Sequence, residues 1–490
     1  MIARAPDRPF CPERSRTTLR GQLLVRVAAG EAPPHIPAQR DVRRAQAPAA
    51  SFIDGGPLDR TLRRFSPAMR VTRAFSAAST LGGATGGHKH WDDMEEDLGL
   101  SRTFRVAVDP EASLVALVDA LAELDLVEEV SPNYLSVTPF AGVSPGAGEN
   151  ADPWYGHRMI GVEQALAFEP GDRTAIVGVV DSGVALGHPE LADRLRPGVD
   201  TVDLAPENFS RDVSFVGDTQ TPDRIPSDEI GHGTACASII AGRGVDLPKG
   251  LASAGFVLPV RVLAGARLRD RAALTALGSI ADIDEGVKAA VDLGARVLNL
   301  SFGTPESALR GNDPRPHSAV VAYARRRGCI LVAASGNSGR EDRYYPACLD
   351  GVVAVGAVGP DGIPSSFSSR GDHVDLCAPG ENIPAAGLSG SQRCTGTSFA
   401  APFVAGACAL LVARAARYSR PIGADVARDL LSRTARPFPR SADARGCGGG
   451  ILDVPKALRA LDLALSSNDP MDFTWRPTSP RRDGPEAAVS

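Results

Sequence analysis

From Asp152 onward, short apolar blocks alternate with amphipathic or small-residue stretches. The blocks are TAIVGVVD (174–181), GFVLPVRVL (255–263), ARVLNLS (295–301), CILVAAS (329–335) and GVVAVGAV (351–358). Each is nearly continuous in apolar character, as strands covered on both faces are. The stretches between them read as helices. The pattern therefore predicts an α/β unit, a parallel sheet with helices on both faces, over residues 152–466. Residues 467–490 are rich in Pro, Arg and Asp and read as a tail.

The chain before this unit has a different texture. Residues 1–20 are polar and basic and read as a mobile N-terminus, and Leu23–Val27 reads as a strand. Residues 31–50, rich in Pro, Ala and Arg, read as a linker, and LGGATGG (81–87) as a flexible loop. TFRVAV (103–108) alternates like a strand. Asp109 and Pro110 then suit the N-cap and first turn of a helix running to about Leu124, with Leu114, Leu117, Val118, Leu121 and Leu124 on one face. Val127–Val130 and Tyr134–Val137 read as two short strands. A small α+β region is thus expected over 21–139, too small to bury much surface unless it leans on a neighbour. The Gly/Pro-rich stretch 140–151 reads as an exposed linker. HKHWDDMEED (88–97) offers His88, His90 and acids to a metal, but such a string is more often a solvated charged loop.

Composition narrows the function classes. The 490 residues are 43% apolar and 23% charged, with a net charge of −5. That balance gives no reason to expect nucleic acid or an anionic membrane as partner. No apolar run approaches the roughly 20 residues of a membrane span, and Ala400–Ala413 reads as a buried helix. The N-terminus lacks the apolar block of a secretory signal, so a cytoplasmic monomer is expected. Export by a non-standard route or a misassigned start is the alternative. The eight cysteines fit no zinc spacing. Cys236 and Cys408 read as buried thiols, and Cys329 with Cys348 and Cys377 with Cys394 as possible bridges.

Four strings carry chemistry. In VVDSGVALGHPEL (179–191), Asp181 ends an apolar strand, where α/β sheets assemble their sites. In GHGTACASIIAG (231–242), His232 opens a small-residue helix, and in CTGTSFAAPFVAGACALL (394–411), Ser398 opens an apolar one. Alone, these residues read equally as a turn aspartate, a capping histidine and an N-cap serine. Together they supply what acyl transfer needs: a nucleophile, a base, and a carboxylate that orients the base. The order Asp, His, Ser differs from that of chymotrypsin, and GTSFA lacks the esterase elbow G-x-S-x-G. In VAASGNSG (332–339), Asn337 can donate to an oxyanion, with the Ser398 N–H as second donor. Pro402 falls in the first turn of its helix, where a missing N–H does little harm.

These four motifs, in this order, resemble the subtilisin-like serine peptidases over about residues 150–465. The resemblance implies a subtilisin-like fold and an acyl-enzyme mechanism, with Ser398 as nucleophile, His232 as general base and acid, Asp181 as orienter, and Asn337 and Ser398 in the oxyanion hole. It implies a peptide or protein substrate paired as a strand along Ser301, Phe302 and Gly303. Ala333, Ala334 and Ser335 would wall the specificity pocket, with Tyr344 or Tyr345 as its cap, suited to apolar or aromatic side chains. Phe399 and Phe403 depart from the commoner Met and His and are expected to pack behind the helix. Cys236 stands where some relatives carry a buried thiol sensitive to mercurials. Residues 103–138 resemble the family's propeptide, so the chain's own N-terminal region is expected to block the groove until cut within 140–151. No cofactor is implied. Calcium steadies many relatives, but no ligand motif for it is found, and no metal site is expected. Two other readings stay open: a dedicated precursor-processing protease, and a catalytically silent peptide-binding protein.

Overall fold

A computed structural model describes residues 18–78, 91–138, 152–209, 212–220, 223–269 and 274–467. Its centre is a seven-stranded parallel sheet. In spatial order the strands are Leu376–Pro379, Val352–Val358, Ile330–Ala334, Val297–Leu300, Ile176–Asp181, Phe256–Arg261 and Val199–Asp200. All five expected blocks are strands of this sheet, and every residue of Val352–Val358 is buried, because helices cover both faces. One face packs helices His232–Ala241, Thr397–Arg417, Ala424–Thr434 and Val454–Ser466, and the other packs Ile280–Asp292 and Ser318–Arg326. Helix Thr397–Arg417 is long and apolar enough to cross a membrane, yet 83% of its most apolar window is buried inside the protein. Its apolarity is that of a central core helix.

The N-terminal region is α+β, as expected, but its boundaries differ. The first strand is Thr18–Val27, so residues 18–20 belong to a strand and not to a mobile end. The helix expected after Asp109 is Leu114–Ala122, capped by Ser113, not Asp109. The Asp109 carboxylate instead accepts the Glu111 N–H in a tight turn. Its buried face is Leu117, Val118 and Leu121. The two short strands are one, Val127–Val137, with Pro132 opposite Leu23. The stretch 31–50 contains a short helix, Gln39–Arg43, and Ala50 bridges to Val71. The loop expected at 81–87, His88 and His90, the linker 140–151 and the tail after Ser467 lie outside the described residues.

DDMEED is not a solvated loop. Asp92 and Glu95 form a capping box for helix Asp93–Asp97. The fully buried Glu95 then meets Lys288 Nζ at 2.5 Å, and Lys288 also meets Asp292 at 2.7 Å. Such a desolvated pair persists because each charge has its partner. Arg105 likewise reaches Asp282 at 2.5 Å, tying the N-terminal region to helix Ile280–Asp292.

The region leans on its neighbour through a second seven-stranded sheet, ordered Arg70–Arg73, Thr103–Ala107, Thr18–Val27, Val127–Val137, Leu274–Ser279, Ala264–Leu268 and Val213–Val216. Every pairing in it is antiparallel. The first four strands are N-terminal and the last three belong to the α/β unit, so one sheet runs across both. No disulfide joins the seven described cysteines. Neither expected bridge is formed: the Cys329 thiol donates to Ala295 O at 2.9 Å, and Cys377 lies beside Cys447, not Cys394.

Candidate active site

Three elements carry the three expected side chains, and the Cys236 thiol of the His232 helix approaches the Ser398 carbonyl at 3.5 Å. Asp181 is the last residue of a central strand, His232 the first of a helix, and Ser398 the second of another. His232 Nδ1 lies 2.7 Å from Asp181 Oδ1, which also accepts the Ser182 N–H at 2.7 Å. Asp181 and Ser398 are fully buried and His232 is 4% exposed. Burial opposes charge on His232, but the Asp181 carboxylate, its hydrogen bond and the nearby Asp228 outweigh this, and the imidazole is held above its ordinary range. The close approach needs a glycine. A Cβ at Gly233 would stand 2.2 Å from Gly183 O and 3.1 Å from Asp181 Cβ.

The sequence reading missed Asp228. Its carboxylate accepts the N–H groups of Ile230, Gly231 and Thr234 at 3.0, 3.0 and 2.9 Å and the Thr234 hydroxyl at 2.6 Å. It also accepts the Ser182 hydroxyl at 2.9 Å, and that oxygen in turn accepts the Gly233 N–H at 3.0 Å. Asp228 therefore satisfies the open N-terminus of the His232 helix and ties it to the residue after Asp181. The signal was legible as an acidic residue a turn before the helix.

Ser398 is held from its carbonyl side. Pro402 lies in the second turn, not the first, and its missing N–H leaves the Ser398 carbonyl without its helical donor. The Ser301 hydroxyl donates to that carbonyl at 2.9 Å, and the Cys236 thiol approaches it at 3.5 Å. Asn299 Nδ2 donates to the Ser301 oxygen at 2.9 Å, which aims the hydroxyl. The Ser398 hydroxyl donates to Ser301 O at 3.2 Å. Burial, with the Asp181 charge behind it, pushes the Cys236 thiol well up, so it stays protonated. Phe403 packs behind the helix as expected, whereas Phe399 packs on the His232 ring at a centroid distance of 5.2 Å.

Asn337 Oδ1 accepts the Thr397 N–H at 2.9 Å and the Thr397 hydroxyl at 2.8 Å. These two donors fix the carboxamide so that its NH₂ faces Gly396, where a Cβ would come within 3.0 Å. The Ser398 N–H belongs to the first turn, whose N–H groups have no helical acceptor.

Residues 135–137 run between Gly303, where a groove wall was expected, and a second strand that the sequence reading did not find. The backbone of Gly303 pairs with Val137, N–H to O at 3.0 Å and O to N–H at 3.2 Å. On its other side, residues 135–137 pair antiparallel with Leu277–Ser279. Ser301 and Phe302 are buried beneath the Gly303 wall, and Ala333, Ala334 and Ser335 close the neighbouring strand end. Tyr344 bridges the two: its side chain would lie 3.2 Å from a Cβ at Gly303 and 2.5 Å from one at Gly336. Tyr345 turns away, its hydroxyl donating to Glu306 at 3.1 Å.

Among the described residues, one group of potential metal ligands closes to within 4.8 Å: Asp181, His232 and Cys236. Calcium needs six or more oxygen ligands, and this trio does not fit it. Asp181 and His232 are bonded to each other.

The subtilase family model matches residues 172–450. The chain belongs to the subtilase family of serine proteases. It is 33% identical over 301 residues to the thermophilic serine proteinase of Bacillus sp. (strain AK1), covering 61% of this chain and 66% of that protein. It is 32% identical over 273 residues to thermitase of Thermoactinomyces vulgaris, covering 54% of this subtilase and 85% of that one. Among solved structures it resembles the prenylagaramide maturation protease PagA at 28% identity and a TM-score of 0.50, covering 61% of this chain and 98% of that one.

Proposed function

We propose that this subtilase is a serine endopeptidase made as a self-blocked precursor. The catalytic reading rests on the 2.7 Å Asp181–His232 pair converging with Ser398 from elements far apart in sequence. His232 takes the Ser398 proton as the hydroxyl turns from Ser301 O toward the imidazole and attacks a substrate carbonyl. Asp181 holds the ring and balances the imidazolium charge. Asn337 Nδ2 and the Ser398 N–H receive the developing oxyanion. His232 then returns the proton to the leaving amine, and water releases the acyl group by the same steps in reverse. No cofactor takes part.

The blocked state is supported by the occupancy of the groove. Residues 135–137 lie between Leu277–Ser279 and Gly303 as the middle strand, which is how an extended peptide binds a sheet edge. Gly303 is two residues from Ser301, whose carbonyl receives the Ser398 hydroxyl, so the strand heads toward the nucleophile. Self-processing is proposed within 140–151.

The likeness to PagA, a maturation protease, favours a second reading, a dedicated precursor-processing enzyme. Hydrolysis of casein by the activated protein supports the general endopeptidase. Cleavage of one precursor with casein left intact supports the dedicated enzyme. Loss of either activity in Ser398→Ala is required by both.

A further inference from the structure

The strand that fills the groove carries Tyr134, Ser136 and Thr138 at alternate positions, so the three side chains share one face. All three are buried. Each hydroxyl meets a polar partner in the α/β unit. Tyr134 donates to the Asp313 carboxylate. Ser136 Oγ shares a hydrogen bond with Thr304 Oγ1 at 2.7 Å and lies 3.5 Å from His317 Nε2. Thr138 Oγ1 lies 3.4 Å from Thr275 Oγ1 and accepts the Ala276 N–H at 3.2 Å.

The pocket beneath Ser136 is the most closed. His317 Nδ1 lies 2.5 Å from Asp284 Oδ1, which fixes Nδ1–H toward the carboxylate and presents Nε2 as an acceptor. The Phe302 ring, 5.9 Å from His317 between centroids, closes the apolar side. Thr304, His317 and Ser136 are all buried. An apolar residue in place of Ser136 would strand the Thr304 hydroxyl away from water, and a site built to bond a hydroxyl rejects a residue lacking one.

We infer that this groove selects peptides bearing hydroxyl side chains at alternate positions: a small one, Ser or Thr, in the Thr304–His317 pocket, and Ser or Thr again two residues on, against Thr275. The inference rests on the reading of the groove as the substrate site.

The test uses the full chain and a fluorophosphonate probe of Ser398. Wild type and Ser136→Thr should label slowly and alike. Ser136→Leu should loosen the blocking strand and label at least about tenfold faster, the loss expected for one stranded buried hydroxyl. Wild type freed of its N-terminal region by self-processing or mild trypsin is then profiled with a peptide library. Ser and Thr should be preferred over Leu at the first position by about tenfold or more. A Thr304→Val, His317→Leu variant should lose that preference while still labelling. An apolar or flat preference at that position, or equal labelling of wild type and Ser136→Leu, overturns the inference while leaving the catalytic reading intact. No labelling in any form, processed or not, overturns both.

Discussion

The Ser301 hydroxyl donates to the Ser398 carbonyl at 2.9 Å, taking the place of the N–H that Pro402 does not have. Ser301 and Ser398 are thus joined by this bond, aimed from behind by Asn299, and by the bond from the Ser398 hydroxyl to Ser301 O. Ser301→Ala removes it and leaves the buried carbonyl with the Cys236 thiol alone. The expected cost is about 1–3 kcal/mol in stability. Activity should fall mainly in kcat, since the substrate pairs with backbone and not with this hydroxyl. Thermal unfolding and steady-state kinetics check both; unchanged stability would mean that the bond contributes nothing.

Asn337 holds Thr397 through its Oδ1 and, on the proposed mechanism, donates to the oxyanion through its NH₂. Asn337→Asp keeps the acceptor oxygen for Thr397 and loses the donor. It should stay folded and lose about 10²–10³ in kcat, the loss measured for the side-chain oxyanion donor of subtilisin. Wild-type turnover in a folded Asn337→Asp protein would place the oxyanion elsewhere.

The pH profile follows from His232. Catalysis needs the neutral imidazole, and Asp181 and Asp228 together hold its pKa above the ordinary value against the opposing effect of burial. The acid limb of kcat/KM should therefore lie above pH 6.5, with activity rising as His232 deprotonates. Asp228→Asn removes one of the charges that raises it, so the limb should move to lower pH. A limb that stays in place in the variant would assign the titration to another group.

The N-terminal region is held partly by the buried Arg105–Asp282 pair at 2.5 Å. Arg105→Ala leaves Asp282 buried and uncompensated, a cost of about 3–5 kcal/mol. The full-length variant should expose Ser398 to a fluorophosphonate faster than wild type. Equal rates would mean that the region is held elsewhere.

Much of this was legible in the sequence because the chemistry sits at strand ends and helix starts, inside short strings with a local conformation of their own. Asp181, His232, Asn337 and Ser398 were proposed as catalytic residues that way, and the five apolar blocks gave the parallel sheet. What was missed depends on partners distant in sequence. LTALGS has no pattern that separates strand from helix, and Leu274–Ser279 is extended because residues 135–137 pair with it. Val127–Val137 was split at Pro132, which is tolerated within one continuous strand opposite Leu23. Asp109 lost the cap to Ser113 because the chain makes a turn before the helix begins. The acids of 92–97 looked solvated because their buried partner, Lys288, is almost 200 residues away.

The central claim is most directly tested by intact-mass analysis of purified wild type and Ser398→Ala, each with and without a fluorophosphonate. The wild type should lose its N-terminal region by a cut within 140–151 and gain a single adduct, while Ser398→Ala stays full length and unlabelled. A wild type that remains full length and takes no probe even after mild trypsin treatment, or a Ser398→Ala protein that processes itself, would contradict the account.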